Sequence, residues 1–390
     1  MDALELHRKY KGKISVTPKV TVADKNDLSN VYTPGVADVS RAIEKDKSKI
    51  YEYTIKSNCV AVVTDGSAVL GLGNVGPEAA LPVMEGKALL FKQFAGIDAF
   101  PICLNTQDEN KIIETVKNIA PVFGGINLED IAAPRCFYIE EELQQLGIPV
   151  MHDDQQGTAI VVLAALMNAA QVLGKKTEEL TVVINGAGAA GTAIARILSC
   201  LGYERKMCNP VKEIIICDSV GIIHKGRTDL NKYKAELSRI TNRQNRKGTL
   251  ADALKGADAF IGVSKGNLLK KEAIRTMADK PIVFSMANPV PEIMPADAIE
   301  AGAAIVGTGR SDFPNQINNS LSFPGVFRGA LDANATRINS QMKIAAAYAL
   351  AGTIKPTKDE ILPSIFDKNV VKNISAAVAK AAIETGVVRK

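Results

Sequence analysis

Short apolar runs recur from about residue 180 onward, and amphipathic stretches separate several of them. The apolar runs are TVVIN (181–185), EIIICD (213–218), DAFIGV (258–263), PIVFSM (281–286) and AAIVGT (303–308). The helical patterns include TAIARILSCLG (192–202), TLADALKG (249–256) and LLKKEAIRTMA (268–278). Because strands that alternate with helices pair in parallel, this part of the chain predicts a doubly wound α/β sheet of the Rossmann type.

The first 150 residues are less regular, but VAVVTDG (60–66), IDAFPICL (97–104) and GINLED (125–130) have the pattern of strands or strand ends. The end of the chain contains two Ala-rich helical stretches, SQMKIAAAYALAG (340–352) and NISAAVAKAAIETG (373–386). We therefore predict an N-terminal α/β domain over 1–152 and a Rossmann domain over 153–318. Residues 319–390 are predicted to form helices that pack back onto the first domain.

The composition indicates a globular protein, since 46% of the 390 residues are hydrophobic and 23% are charged. The net charge is only +5 and basic residues cluster only in RQNRK (243–247), so we expect no nucleic-acid partner. No apolar run reaches the ~20 residues of a transmembrane helix. The sequence MDALELHRKY lacks the apolar region of a secretory signal. Six cysteines without a C-x-x-C pair are typical of reduced thiols in a cytoplasmic protein.

Two segments fit the dinucleotide fingerprint G-x-G-x-x-G, namely GLGNVG (71–76) and GAGAAG (186–191). The second segment follows the run TVVIN directly and precedes a helical pattern, so it predicts a pyrophosphate site at a helix N-terminus. The candidate cofactor residues are Gly186, Ala187, Gly188, Ala189, Ala190, Gly191 and Asp218, the last of which would accept the ribose hydroxyls. Pro77 follows the first segment and donates no N–H, so we interpret that segment as a tight turn before a helix.

Two acidic pairs follow apolar runs and are expected at the carboxyl ends of strands, where ligands bind in open α/β sheets. The pairs are Glu129 with Asp130 and Asp153 with Asp154. An all-oxygen ligand set favours Mg²⁺ or Mn²⁺. The alternative is that these acids are helix caps and surface residues.

Lys87 lies in an apolar helical context, where desolvation favours a general base, although most such lysines extend to solvent. Tyr32 precedes a Pro-Gly turn and is a second candidate site residue. The alternative interpretation is a partly buried tyrosine with an ordinary hydrogen bond. Neither residue alone identifies an enzyme.

Together the motifs resemble the malic enzyme family in its short prokaryotic form. The resembling segments are VYTPGVA (31–37), the stretch from TDGSAVLGLGNVG to ICLNT (64–106), NLEDI (127–131), HDDQQGTA (152–159), GAGAAG, MANPVPE (286–292) and NNSLSFPG (318–325). They span nearly the whole chain in the family's order. The resemblance implies oxidative decarboxylation of L-malate to pyruvate and CO₂, reduction of NAD(P)⁺, a divalent metal, a homodimer, and a substrate and metal domain that precedes the cofactor domain.

The resemblance also implies site residues. Glu129, Asp130 and Asp154 would bind the metal. Lys87 would be the general base and contact the substrate, Tyr32 would be the general acid, and Asp153 would hold the lysine. Asn288 and Asn319 would bind malate or lie beside the nicotinamide. Long forms carry an arginine in DGERILG that binds a substrate carboxylate, whereas this chain has DGSAVLG, which leaves Ser67 as a candidate for that contact.

The acid at position 218 favours NAD over NADP, because no Arg or Lys follows it immediately. The basic residues that could still reach a 2′-phosphate are Lys225, Arg243, Arg246 and Lys247. Two other functions stay open at this point. One is an amino-acid dehydrogenase-like enzyme without a metal, and the other is a catalytically inactive dinucleotide-binding regulator.

Overall fold

The computed structural model describes residues 2–69, 71–201 and 208–389. Two separate sheets organise this part of the chain. The strands of the first sheet are β1 (Cys59–Thr64), β2 (Asp98–Cys103), β3 (Gly125–Leu128) and β4 (Val150–His152). The strands of the second sheet are β5 (Thr181–Asn185), β6 (Glu213–Asp218), β7 (Gly221–Ile222), β8 (Ala259–Gly262), β9 (Ile282–Ser285) and β10 (Ile305–Thr308).

Helices surround and connect these strands. The helices before β5 are α1 (Ala3–Tyr10), α2 (Lys25–Val31), α3 (Val36–Lys45), α4 (Ile50–Tyr53), α5 (Pro77–Ala95), α6 (Glu109–Ile119), α7 (Arg135–Leu143) and α8 (Thr158–Val172). Those that follow are α9 (Ala189–Leu198), α10 (Lys232–Ile240), α11 (Leu250–Leu254), α12 (Lys271–Ile274), α13 (Pro295–Glu300), α14 (Phe323–Asp332), α15 (Ser340–Ala351) and α16 (Lys368–Glu384). The longest of them, α5, begins with a proline in its first turn, as the sequence predicts.

The first sheet is parallel and has the strand order β2-β1-β3-β4. The chain moves from β1 to one side for β2 and then to the other side for β3. The strand order therefore reverses at β1, and the carboxyl ends of β1, β3 and β4 lie side by side. Open α/β sheets bind ligands at such a reversal, because the two connections leave a crevice between them.

The second sheet has the order β10-β9-β8-β5-β6-β7 and is parallel except for the short strand β7. Its strands are fully buried over most of their length, which explains why they form continuous apolar runs in the sequence. The strand order reverses between β5 and β8. The predicted α/β Rossmann fold is thereby confirmed, while the predicted domain boundaries stay a prediction.

The helical pattern at 268–278 is realised only as the single turn α12. The backbone N–H of Leu269 donates to the carbonyl of Glu292 over 2.9 Å instead of entering a helix. The loop predicted between α9 and β6 has its residues 203–207 outside the described part of the chain. Of the helices that the structure describes, none is long and apolar enough to cross a membrane.

The expectation of six reduced thiols is wrong for one pair, because Cys200 and Cys208 form a disulfide. Both cysteines follow α9, which ends at Leu198, and their separation of 8 residues carried no C-x-x-C signal. The other cysteines are free thiols, and three of these are buried. The cytoplasmic location rested on reduced thiols, so it stays a prediction.

The C-terminal helices pack against α5 through a cluster of aromatic rings. Phe91 of α5 is fully buried, and its ring centre lies 4.7 Å from that of Phe323 and 5.4 Å from that of Phe327. Both partners belong to α14. Because α5 also carries Lys87, this aromatic cluster helps to set the position of the lysine relative to the strand ends.

We expect Phe91→Ala to lower the free energy of unfolding by about 3–5 kcal/mol, because it opens a cavity at the junction of α5 and α14. Urea denaturation followed by circular dichroism measures the change. Phe366→Ala is the matched control, since Phe366 is exposed and its loss should cost less than about 1 kcal/mol. Equal effects of the two substitutions would contradict this account of the junction.

Candidate active site

Three carboxylates converge at the carboxyl ends of β3 and β4. Glu129 and Asp130 follow β3, and Asp154 follows β4, which is the neighbouring strand. One oxygen from each of these residues lies within 4.8 Å of the other two. The backbone N–H of Asp130 donates to Asp154 Oδ2 over 2.8 Å, and Asp130 adopts a left-handed conformation with φ of 53°. The predicted metal ligands are therefore brought together by the fold.

The cluster has the chemistry of a site for a hard divalent cation. Glu129 and Asp130 are buried, and Asp154 is partly exposed. Burial raises the pKa of Glu129 well above its usual range, and the neighbouring carboxylates add to this effect. A cation bound among the three oxygens would relieve the repulsion, and Mg²⁺ and Mn²⁺ prefer such ligands.

Lys87 faces this cluster from α5. Its Nζ forms an ion pair and hydrogen bond with Asp153 and lies 3.1 Å from Glu129 Oε1. Nζ also lies 4.4 Å from the ring centre of Phe323. Burial alone would lower the pKa of Lys87, but the carboxylates of Asp153 and Glu129 outweigh it and raise the pKa. The lysine is therefore held protonated in this arrangement, and a cation among the acids would act in the opposite direction.

A glycine allows Asp153 to reach the lysine. A π-helical turn spans Asp153–Gly157, and a Cβ on Gly157 would lie 1.8 Å from Asp153 Oδ1. Within the same turn, Gln156 donates to Glu140 Oε2 over 3.0 Å and accepts from Lys343 Nζ over 2.9 Å. This network ties the acid-bearing turn to α7 and α15.

Ser67 takes part in a buried structural network, which leaves the predicted contact with malate without support. Its hydroxyl donates to Asp65 Oδ1 over 2.5 Å and accepts from the N–H of Ala132 over 2.8 Å. Asp65 is fully buried and also pairs with Arg135 over 3.0 Å. Because the one hydrogen of the Ser67 hydroxyl is used by Asp65, it is not free for a substrate carboxylate.

The first glycine loop has a packing role. A Cβ on Gly66 would lie 2.2 Å from the carbonyl oxygen of Gly76, so the loop closes on itself. A Cβ on Gly71 would lie 1.9 Å from the carbonyl oxygen of Asn288. The loop thus leads into α5, as the sequence predicts, and contacts the loop that follows β9.

The second glycine loop opens a cleft of about 780 Å³ at the reversal point of the second sheet. A Cβ on Gly191 would lie 1.7 Å from the carbonyl oxygen of Gly186, so the turn from β5 into α9 requires glycine there. Apart from its neighbours in the chain, no described residue has an atom within 4 Å of a Cβ built on Gly188, which leaves room for a ligand to approach the backbone. The cleft is lined by Ala133, Pro134, Phe137, Asn185–Gly188, Asp218–Gly221, Asn231, Tyr233, Lys234, Thr249, Leu250, Ser264, Lys265 and Leu268.

The cleft and the carboxylate cluster share one segment of chain. Ala133, Pro134 and Phe137 line the cleft and follow Glu129 and Asp130 by only a few residues. A ligand in the cleft is therefore adjacent to the connection that positions the acids. Of the remaining predicted residues in this region, Asn319 is half-buried and lies close in sequence to Phe323, while Asn288 is exposed beside the first glycine loop.

Tyr32 is not joined to the Lys87 cluster within one chain. It follows α2, its side chain is 67% exposed, and it forms no hydrogen bond to the site among the described residues. Sequence reasoning also missed Lys234, Ser264 and Lys265. The strand-end rule could have found the last two, which follow β8, whereas Lys234 lies on α10 and is separated by 16 residues from Asp218 at the end of β6.

Comparison with known families decides what this arrangement is. Residues 11–144 match the family model for the malic enzyme N-terminal domain, and residues 155–385 match the model for the malic enzyme NAD-binding domain. The chain belongs to the malic enzyme family. The match of both parts favours this family over the amino-acid dehydrogenase-like and inactive-regulator alternatives.

Individual malic enzymes are similar over the full chain. Identity is 56% to the bifunctional malic/malolactic enzyme of Bacillus subtilis, covering 100% of this chain and 94% of that protein. It is 55% to the NAD-dependent malic enzyme of Geobacillus stearothermophilus, covering 97% and 78%. An NADP-dependent malic enzyme of Halomonas elongata is 46% identical, covering 100% and 94%. The crystal structure of the NAD-dependent malic enzyme from Thermotoga maritima superposes with a TM-score of 0.93 at 53% identity, covering 97% and 99%.

We expect Glu129→Gln and Asp154→Asn each to weaken Mn²⁺ binding by at least about tenfold, because each removes a charged ligand from the cluster. Electron paramagnetic resonance of free Mn²⁺ in titrations of the protein measures the affinity without any turnover. Asp359→Asn, which changes an exposed acid, should bind Mn²⁺ like the unaltered protein. Unchanged affinity in both cluster variants would rule out this ion site.

Proposed function

We propose that this malic enzyme family member converts L-malate to pyruvate and CO₂ with reduction of NAD(P)⁺ and with Mg²⁺ or Mn²⁺ as the required ion. The observation that carries the proposal is the Lys87 amine, which contacts both Asp153 and Glu129 beside the three-carboxylate cluster. A dinucleotide-binding regulator has no use for a buried amine and metal ligands held together.

The residues of the chain would divide the chemistry as follows. Glu129, Asp130 and Asp154 would hold the divalent ion, which would supply Lewis-acid chemistry to the substrate. In its neutral form, which a cation among the acids would favour, Lys87 accepts the proton of the C2 hydroxyl as C2 loses its hydride to the nicotinamide. Asp153 orients Lys87, and its hydrogen bond stabilises the protonated amine.

Carbon C3 then needs a proton once CO₂ has left, and Tyr32 is proposed as the general acid that supplies it. Asn288 and Asn319 are proposed to bind malate or to lie beside the nicotinamide. The cofactor is proposed to lie in the cleft along Gly186–Gly191, where the N-terminus of α9 favours the pyrophosphate charge.

We further propose that NAD is preferred over NADP. The proposal is supported by two of the relatives named above, both called NAD-dependent and both more than half identical to this chain. The NADP-dependent relative is less similar, at 46% identity. Asp218 at the end of β6 has the position that favours ribose hydroxyls.

With L-malate, Mn²⁺ and NAD, we expect the reduced-nicotinamide absorbance to rise and to stop rising when EDTA is added. Lys87→Met should lower kcat by roughly 10²–10⁴, because it removes the general base. Lys92→Met, an exposed lysine on the same helix, should leave kcat within about twofold. Absence of malate-dependent reduction with either dinucleotide would refute the proposed function.

We propose a homodimer because the apolar side chains of the N-terminal helices are not buried within one chain. Helices α1, α2 and α3 contain no buried residue, and residues 4–39 expose many apolar side chains, including Val16 at 83% and Tyr32 at 67%. A large exposed apolar surface is typical of an interface. We propose that a second copy covers it and that each Tyr32 serves the site of the partner subunit.

A mixture of Tyr32→Phe and Lys87→Met proteins tests this arrangement, because each variant alone lacks one catalytic group. If Tyr32 acts across the interface, a mixed dimer contains one intact site. Refolding the two variants together should then restore about a quarter of the unaltered activity for random pairing into twofold dimers. If Tyr32 acts within its own chain, no mixture contains an intact site and activity stays at the level of the separate variants.

A further inference from the structure

Glu140 of α7 holds both ends of the turn that carries Asp153 and Asp154. Its Oε1 accepts from the backbone N–H of His152 over 3.0 Å, and its Oε2 accepts from Gln156 Nε2 over 3.0 Å. One donor stands immediately before the two acids in the sequence, and the other stands shortly after them. A single carboxylate is therefore bonded to the chain on both sides of the acids.

The turn needs support from outside because its own backbone is irregular. Asp153–Gly157 form a π-helical turn, a rare conformation that occurs mostly as single turns, often at functional sites. The turn also carries two carboxylates next to each other in the sequence, and like charges repel when both groups are ionised. Contacts with other elements are therefore needed to fix the directions of the two acids.

Glu140 is buried, being 8% exposed, and both of its donors are uncharged N–H groups. A buried carboxylate is costly unless it is hydrogen-bonded and balanced by a positive charge. A positive charge joins the network one step further away, at Lys343 of α15, whose Nζ donates to Gln156 Oε1 over 2.9 Å. Burial lowers the pKa of Lys343, and the carboxylate of Glu140 opposes this effect. The amide of Gln156 thus bridges an acid and a base.

This bridge fixes which way the Gln156 amide faces. The Lys343 ammonium can only donate hydrogen bonds, so the amide oxygen must face it. The ionised Glu140 carboxylate can only accept, so the amide NH₂ must face that side. A reversed amide would place donor against donor at one end and acceptor against acceptor at the other. Two groups on separate helices, α7 and α15, therefore set the direction of the hydrogen bond that holds the turn.

We infer that Glu140 is a positioning residue of this enzyme, which acts through His152 and Gln156 to orient the carboxylates of Asp153 and Asp154. Its contribution depends on the polarity of the bridge as well as on its shape, because the same amide must satisfy an acceptor at one end and a donor at the other. The inference rests on the proposed function, since it takes Asp154 as a ligand of the divalent ion.

The test measures Mn²⁺ affinity by electron paramagnetic resonance of free Mn²⁺, which needs no turnover. Glu140→Gln keeps the shape of the side chain but leaves the Gln156 amide between two donors, so Mn²⁺ binding should weaken by at least about tenfold. Lys343→Met removes the opposing donor and lets the Gln156 amide reverse. The double variant Glu140→Gln/Lys343→Met should therefore recover an affinity within about threefold of that of the unaltered protein.

Recovery in the double variant is a result that a purely structural role would not give. If Glu140 only stabilised the fold, each substitution would cost stability and the two losses of Mn²⁺ affinity would add. Circular dichroism establishes that each variant is folded. Glu141→Gln, which changes an exposed acid beside Glu140 on α7, is the matched control and should bind Mn²⁺ like the unaltered protein.

Gln156→Met takes the place of Glu140→Gln if the latter does not fold. It removes the bridging amide but leaves the hydrogen bond from His152 to Glu140, so Mn²⁺ binding should weaken by at least about threefold. Lys343→Met added to this variant should have no further effect, because the bridge is already broken. Unchanged Mn²⁺ binding in Gln156→Met would contradict the inference.

The outcomes distinguish this inference from the proposed function. A folded Glu140→Gln protein that binds Mn²⁺ within about threefold of the unaltered protein overturns the role of Glu140 while the ion site remains. A double variant that binds no better than Glu140→Gln overturns it as well. If the unaltered protein does not bind Mn²⁺, the carboxylate cluster itself is misassigned and the proposed function fails with it.

Discussion

The site depends on a buried ammonium that is balanced by two carboxylates. Lys87 comes from α5, whereas Asp153 and Glu129 follow different strands of the first sheet. A buried charge without a partner is strongly destabilising, so the folded state favours the pairing of these three groups. The aromatic contact between α5 and α14 and the glycine at position 157 serve the same pairing, since one places the helix and the other makes room for the acid. Folding and chemistry thus impose the same geometry.

The strand order reverses once in each sheet, and each reversal forms a binding site; the two sites are neighbours. In the first sheet the reversal at β1 collects acids at the carboxyl ends of adjacent strands, and in the second sheet the reversal between β5 and β8 opens the cleft beside the glycine loop. The connection that follows β3 contributes to both, because it carries Glu129 and Asp130 and then lines the cleft. An ion and a dinucleotide can therefore be held next to each other without any long loop, which suits a reaction that transfers hydride directly between two bound molecules.

Features that depend on neighbouring residues in the chain could be predicted from the sequence. Several features have short-range sequence signatures, and the structure contains them. They are the strand ends, the glycine turn after β5, the proline at the start of α5, and the acids that follow β3 and β4. Contacts made across the fold have no such signature. Lys343 reaches Gln156 across 187 residues, and Lys234 reaches Asp218 only because α10 packs beside β6. The disulfide between Cys200 and Cys208 and the hydrogen bond from Ser67 to Asp65 are short-range in sequence, but they depend on the exact path of an irregular loop, which no residue pattern specified.

The contact of Gly71 with the carbonyl of Asn288 joins the two halves of the molecule backbone to backbone. A Cβ at position 71 would clash with this carbonyl oxygen, so only glycine allows the two loops to approach so closely. Because the loop after β9 leaves the sheet that forms the cleft, and the first glycine loop leads into α5, this close approach connects the sheet of the dinucleotide cleft to the start of the helix that carries Lys87.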